Sequence, residues 1–203
     1  MSPVIYTKNA VSDSVISTLI EIYNSSKDYQ TKSMKKVSGQ TDEVLEVLKG
    51  VPTIDTNRIQ ICHFYKHSTP YYPHTDYHFL EKENIVMPLQ VFNGANPYLI
   101  VFDQWLDDDG KTWTFESNTT FSHNTGISGR PCDYNIKKST NKEITKALYR
   151  YLSHYPKDYW FGLSGDPYEF KPGNTIQFDS KRLHATSRMH CEAKLGLTIR
   201  YKK

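Results

Sequence analysis

Lys194-Leu195-Gly196-Leu197-Thr198-Ile199-Arg200-Tyr201 alternates without a break. Lys, Gly, Thr and Arg hold the even positions; Leu, Leu, Ile and Tyr hold the odd ones. Successive side chains on a strand point to opposite faces, so the run predicts a strand with one apolar and one polar face. The apolar face needs a cover. A helix over residues 11–25 supplies it, with Val15, Leu19 and Ile22 at helical spacing and Ser12 or Asp13 as N-cap. The polar face carries two cations with no bulk between them, which suits the wall of a cavity. An unpaired buried charge is costly, so a cation held there needs an anionic partner. A dicarboxylate would supply one.

Working outward from this strand, the chain is rich in further strand signals. Residues 57–65, 85–92, 97–104 and 174–179 read as strands, and Asn93-Gly94 is a turn signal between the second and third of them. Residues 42–49 read as a short helix stopped by Gly50, and residues 141–154 as a helix with Ile144, Leu148, Tyr151 and Leu152 on one face. The stretch 106–140 is polar and rich in Asn, Ser, Thr, Gly and Asp. This order predicts a mainly β protein: a jelly-roll with supporting N-terminal and inserted α-helices. We expect a single domain over 1–203, with helical support over 1–56, a β core over 57–203 and an insertion over about 106–170.

Composition narrows the class. The 203 residues carry 25 Lys and Arg against 22 Asp and Glu, a formal net charge of +3. That balance allows an anionic ligand but does not lay down a nucleic-acid track. Fifteen Tyr residues fit strands at least as well as a binding pocket. Cys62, Cys132 and Cys191 are odd in number and widely spaced, which argues against a disulfide framework or a zinc knuckle and for a reducing compartment. The N-terminus lacks a basic region followed by an apolar run, and no stretch approaches the roughly 20 apolar residues of a membrane helix. The expectation is a soluble, cytoplasmic protein.

Chemistry concentrates in His74-Thr75-Asp76 and in His184, 108 residues after Asp76. Two imidazoles and a carboxylate are the ligand set that holds ferrous iron on one face and leaves the other open. On extended chain His74 and Asp76 point the same way while Thr75 points away. The distant His must then arrive on a strand brought alongside.

These segments together resemble the Fe(II)/2-oxoglutarate-dependent dioxygenases, in particular the prolyl 4-hydroxylase-like and AlkB-like members. The resemblance rests on Ile59–Tyr65 leading into Tyr72-Pro73-His74-Thr75-Asp76, on Lys171-Pro172-Gly173 through Phe178 to Leu183-His184, and on the strand 194–201. It implies a double-stranded β-helix (cupin-like) fold, with His74, Asp76 and His184 as iron ligands. Lys194, ten residues after His184, matches the place of the cation that pairs with the distal carboxylate of 2-oxoglutarate. Arg200 matches a second arginine of AlkB-like members and is the runner-up for that role. Tyr65 joins them as a cosubstrate contact. The implied cofactors are Fe(II), 2-oxoglutarate and O2, and the implied reaction is hydroxylation of a C–H bond with release of succinate and CO2. A carboxylate as second ligand favours hydroxylation over halogenation. A glycine-bearing lid around Gly126 and Gly129 would close over substrate.

Other residues read more plainly. His190 rivals His184 as ligand, but the five-residue gap from Phe178 and the ten-residue gap to Lys194 favour His184. His63, His67 and His78 read as surface or strand-packing residues, and His123 and His154 as loop and helix-end residues. Arg188 is either a ligand contact or a turn cation. Tyr72, Gln90, Asn93 and Gln104 are candidate pocket liners, and Trp105, Trp113 and Trp160 core or lid anchors. Asp107-Asp108-Asp109-Gly110 lacks the downstream ligands of a calcium loop, and Lys137-Lys138 and Lys202-Lys203 are solvated pairs. The substrate is expected to be an amino acid, a peptidyl residue or a small metabolite. A nucleobase is the alternative, but basic residues do not cluster as a groove would need. Outside catalysis, the rival is a cupin-type metal- or ligand-binding module, which has no need of two cations on its last strand.

Overall fold

The computed structural model describes residues 3–25, 42–71, 73–76, 81–107, 133–135, 142–157, 160 and 163–202. Tyr72, His78, Asp108-Asp109-Gly110, Trp113, His123, Gly126, Gly129, Cys132, Lys137-Lys138 and Lys203 lie outside the described residues, as do the side chains of Gln104 and Trp105.

The strand at the C-terminus is the keystone. It runs as β9 (Cys191–Lys202), an inner strand of the larger of two antiparallel sheets. That sheet has the order β1 (Ile5–Thr7), β7 (Thr175–Asp179), β3 (Glu81–Gly94), β9, β2 (Ile59–His67). The smaller sheet is built on β4 (Tyr98–Asp107). Here β8 (Arg182–Thr186) lies along one edge, and β6 (Gly165–Glu169) and β5 (Asp133–Asn135) share the other. Helix α1 (Asp13–Ser25), α2 (Asp42–Leu48) and α3 (Lys142–Leu152) complete the fold. No helix among the described residues is long and apolar enough to cross a membrane.

The odd positions of β9 behave as their alternation predicts. Leu195, Leu197, Ile199 and Tyr201 pack under α1 and α2 with Leu19, Tyr23, Val44 and Leu48. Full burial of one such leucine is worth roughly 1.5–3 kcal/mol. The buried stripe of α1 runs through Ile16, Leu19 and Tyr23, with Val15 and Ile22 at its flanks. It is thus rotated slightly from the expected Val15–Leu19–Ile22 line. Ser12 is the cap: its Oγ accepts from the Val15 N–H at 3.4 Å and its carbonyl from Ile16 at 3.0 Å.

The two sheets face each other through Val86, Ile176 and Phe178 on one side and Leu99 and Val101 on the other. The outer face of the smaller sheet is covered by α3, whose Leu148 and Leu152 meet Ile100, Phe102, Leu183 and Ala185. Trp160 is buried there too, as the anchor reading expects. Before β7, Lys171-Pro172-Gly173-Asn174 closes with the Asn174 N–H donating to the Lys171 carbonyl at 3.1 Å. Gly173 sits at φ +89, the second central residue of a type II turn that proline opens.

One expectation needs correction. Asn93-Gly94 does not close a hairpin: β3 pairs with β7 and β9 while β4 pairs with β5, β6 and β8, so the turn carries the chain from one sheet to the other. Strand β4 runs to Asp107, and within the stretch expected as an insertion β6 is paired into the smaller sheet. Strand β8, which carries His184, has no clear strand signal in the sequence.

Candidate metal centre and cation pocket

Register fixes what faces the interior. On β8, Leu183 and Ala185 pack outward against α3, so Arg182, His184 and Thr186 face inward. On the larger sheet, Phe178, Asn84 and Arg200 form one cross-strand row, Ile176, Val86, Thr198 and His63 the next. Gly196 beside Tyr65, then Lys194 beside His67, complete the interior face of β9 toward its start. The segment after β2 returns across the opening, where His74 and His184 form a two-way backbone bridge: each N–H donates to the other's carbonyl, at 2.9 and 2.8 Å.

That bridge brings the distant histidine beside the His-x-Asp segment. One donor atom from each of His74, Asp76 and His184 lies within 4.8 Å of the others. His184 Nε2 is 3.5 Å from Asp76 Oδ2 and His74 Nε2 is 3.8 Å from Asp76 Oδ1. The imidazole centroids are 4.2 Å apart. Thr75, between the two ligand-type residues, is fully buried. Two imidazoles and a carboxylate at this separation form a donor set suited to a divalent transition metal.

Each ligand-type side chain is held from behind. The His184 Nδ1 lies 3.2 Å from the Arg182 carbonyl, which favours the tautomer with the proton on Nδ1 and leaves Nε2 as the free donor. Arg182 itself donates to the Phe102 carbonyl at 3.1 Å, steadying β4 where its register shifts between Val101 and Trp105. Phe178 packs 4.9 Å from the His184 ring, and Tyr71 meets His74 edge-on at 4.5 Å. Asp76 receives Asn84 Nδ2 at 3.4 Å and lies 3.4 Å from Arg200 Nη2. Burial pushes the Asp76 carboxyl upward, but His184, Arg200 and His74 together outweigh it and hold the group well below the usual carboxylate range.

The second feature is the cation pocket. Lys194 is 3% exposed. Its ammonium donates to Thr186 Oγ1 at 2.9 Å and lies 4.7 Å from the Phe170 ring and 6.0 Å from that of Tyr65. Among the described residues no carboxylate pairs with it. Burial pushes its pKa down to about 7. Burial, and next the charge of Lys194, push His67 down to about 4; burial and Asp76 push Tyr65 upward. Gly196 makes room for the walls: a Cβ there would stand 2.5 Å from the Tyr65 hydroxyl and 3.1 Å from Phe170. Thr186 is two residues beyond His184 on the same interior face of β8, so the pocket and the ligand cluster share one cavity wall.

The sequence-predicted residues therefore divide. His74, Asp76 and His184 converge; Tyr65 and Lys194 form the neighbouring pocket; Arg200 sits against Asp76 instead. His190 is exposed and outside the ligand cluster. Arg188 is exposed, Gln90 is half-buried, and Asn93 is an exposed residue at the end of β3, bonded to Glu192. His154 lies just past α3, as a helix-end residue. His67 is not a bland surface residue: it lies opposite Lys194, with its ring 5.1 Å from Tyr65 and 5.4 Å from Tyr71. Tyr71, Asn84, Phe170 and Thr186 escaped the sequence reading: register reveals Asn84 beside Arg200, and contacts made in the folded chain reveal the others.

No family model matches the chain, and no curated protein matches it in sequence. Solved structures do match its shape. The non-haem alpha-ketoglutarate-dependent epimerase SnoN from nogalamycin biosynthesis is similar with a TM-score of 0.56 and 7% identity, over 98% of this chain and 76% of that one. SnoN in complex with Fe3+, alpha-ketoglutarate and nogalamycin RO gives 0.50 and 10%, over 98% and 78%. EctD from S. alaskensis, in its apo form, gives 0.51 and 12%, over 98% and 72%. At such identities the likeness speaks for the backbone arrangement. On that ground the chain has a double-stranded β-helix fold, as these structures do.

Proposed function

We propose that the protein is a non-haem Fe(II)- and 2-oxoglutarate-dependent dioxygenase that hydroxylates an unactivated C–H bond of an amino acid, a peptidyl residue or a small metabolite. The observation that carries the reading is the convergence of His74, Asp76 and His184 within 4.8 Å. The buried ammonium of Lys194 supports it, because its neutral partner Thr186 leaves the charge uncompensated. A keto diacid bound between the two features answers both needs.

In this reading His74, Asp76 and His184 hold the iron, and the iron with 2-oxoglutarate and O2 supplies the oxidising chemistry when bound. The chain's own residues do the rest. Thr186 fixes the direction of the Lys194 ammonium, which pairs with the distal carboxylate. The Tyr65 and Phe170 rings keep water from that pair, and so strengthen it. The Arg182 carbonyl at His184 Nδ1 orients that ring with Nε2 toward the metal. Arg200 is engaged by Asp76, so Lys194 takes the cosubstrate role. A nucleobase substrate is disfavoured by the dispersed basic residues. Cys62 and Cys191 are free thiols, which suits the cytoplasm.

The test is spectroscopic. Under anaerobic conditions, ferrous iron plus 2-oxoglutarate should give a weak visible charge-transfer band, and His74→Ala should abolish it. Wild-type protein without the band would sink the proposal, leaving the cupin-type binding module. Succinate release across a panel of amino acids, peptides and metabolites would then identify the substrate.

A further inference from the structure

Asn84 is fully buried at the centre of the larger sheet, yet only half of its amide is used. Its Nδ2 donates to Asp76 Oδ2 at 3.4 Å, while its Oδ1 is buried without a hydrogen-bond partner among the described residues. A buried carbonyl left unsatisfied is a standing cost that an apolar residue would avoid. Turning the amide over would set its oxygen against a carboxylate, so the observed orientation follows from charge. The residue is thus poorly explained by packing and well explained by Asp76.

Its cross-strand neighbour on β9 is Arg200. Paired residues of an antiparallel ladder share a face, so β3 and β9 present an amide and a guanidinium side by side. They reach different oxygens of one carboxylate: Asn84 goes to Oδ2, Arg200 Nη2 to Oδ1 at 3.4 Å. The same two oxygens face His184 and His74 respectively. Asp76 itself lies outside any strand, on the segment between β2 and β3.

We propose that Asn84 and Arg200 act as a two-point clasp that holds the Asp76 carboxylate between the two imidazoles before any metal arrives, and that neither is a cosubstrate-binding residue. They are positioning residues. The inference rests on the proposed metal role of His74, Asp76 and His184, and assigns Arg200 a task different from that of Lys194. Outer-shell partners of metal ligands are commonly worth about 10–100-fold in metal affinity.

Co(II) is the probe, because its visible d–d bands report the symmetry of the site without turnover. Wild-type protein should bind Co(II) and His74→Ala should not; if His74→Ala binds normally, the metal-site reading itself fails. With that established, Asn84→Ala should weaken Co(II) binding about tenfold and shift the bands. Asn84→Ser, smaller but still a donor, should recover part of both. Arg200→Lys keeps the charge but loses the fork, and should shift the bands while leaving 2-oxoglutarate affinity within about twofold. Lys194→Met should leave the bands in place. If Asn84→Ala and Asn84→Ser fail to fold, the band shift in Arg200→Lys decides alone. Unmoved bands and unmoved Co(II) affinity in the Asn84 and Arg200 variants overturn the clasp while leaving the metal centre standing.

Discussion

The two ends of β9 place a cation on the same interior face and treat it in opposite ways. At one end Arg200 finds a carboxylate, Asp76, at 3.4 Å. At the other Lys194 finds a neutral hydroxyl, Thr186, and two aromatic walls. Six residues of strand separate them, roughly 20 Å between α-carbons at the usual rise, so the two could not easily serve one carboxylate. The contrast teaches that position along a strand does not define a role. The Arg end is electrostatically complete within the chain. The Lys end is incomplete, which in a folded protein is a cost carried for the sake of a ligand.

The sharpest way to break this comparison is Lys194→Met. Methionine fills a similar volume against Phe170 and Tyr65 without a charge. Loss of a desolvated charge partner costs several kcal/mol, so 2-oxoglutarate affinity should fall on the order of 100-fold or more. The ligand-free protein should nonetheless become more stable by about 1–3 kcal/mol at pH 6, because a buried ammonium without a counter-ion is removed. Anaerobic 2-oxoglutarate titration and thermal melts measure the two effects. A variant that loses both affinity and stability would show that Lys194 holds the fold together and is not poised for a ligand.

Proton linkage sharpens the same point with a smaller effect. Folding lowers the Lys194 pKa from 10.5 to about 7 through burial. Between those values the unfolded chain holds a proton that the folded chain lacks. Stability of the ligand-free protein from this group therefore rises with pH across that window. The cosubstrate needs the charged form, so its affinity should decline above about pH 7, approaching tenfold per pH unit. Lys194→Arg, charged throughout, should flatten the profile. A wild-type titration that is flat from pH 6.5 to 9 would put the ammonium's counter-ion inside the protein after all.

Much of this contrast was readable in the chain. The alternation of 194–201 gave both faces of β9, and α1 followed from its spacing and its Ser12 cap. His74, Asp76, His184 and Lys194 are legible because their spacing is local or measured from one anchor. What the sequence hides is set by pairing across strands. Asn84 looks like the end of a polar stretch, Glu81-Lys82-Glu83-Asn84, until β9 places Arg200 beside it. Thr186 matters only because Lys194 reaches it, and Phe170 only because it closes the same pocket. Strand β6, Gly165-Asp166-Pro167-Tyr168-Glu169, carries three residues that strands disfavour and reads as a loop; its pairing with β4 overrides that preference. Arg200 was placed with the cosubstrate by family spacing, whereas contact geometry puts it on Asp76.

Between the two ends lies Gly196, and it gives the smallest but most discriminating test. Its missing side chain lets Tyr65 lie across the strand, since a Cβ would come within 2.5 Å of the Tyr65 hydroxyl and 2.7 Å of the ring carbon that bears it. Gly196→Ala must push Tyr65, and with it Phe170, away from Lys194. Overpacking of this kind costs about 1–3 kcal/mol. The displaced rings would admit water to the ammonium, so Lys194 should titrate closer to its ordinary value and 2-oxoglutarate binding should weaken about three- to tenfold. The Arg200 end, two cross-strand rows away, should be untouched, and Co(II) bands should stay where they are. Comparable movement at both ends would mean that β9 shifts as a rigid bar, and that the Lys194 pocket and the Asp76 clasp are one device and not two.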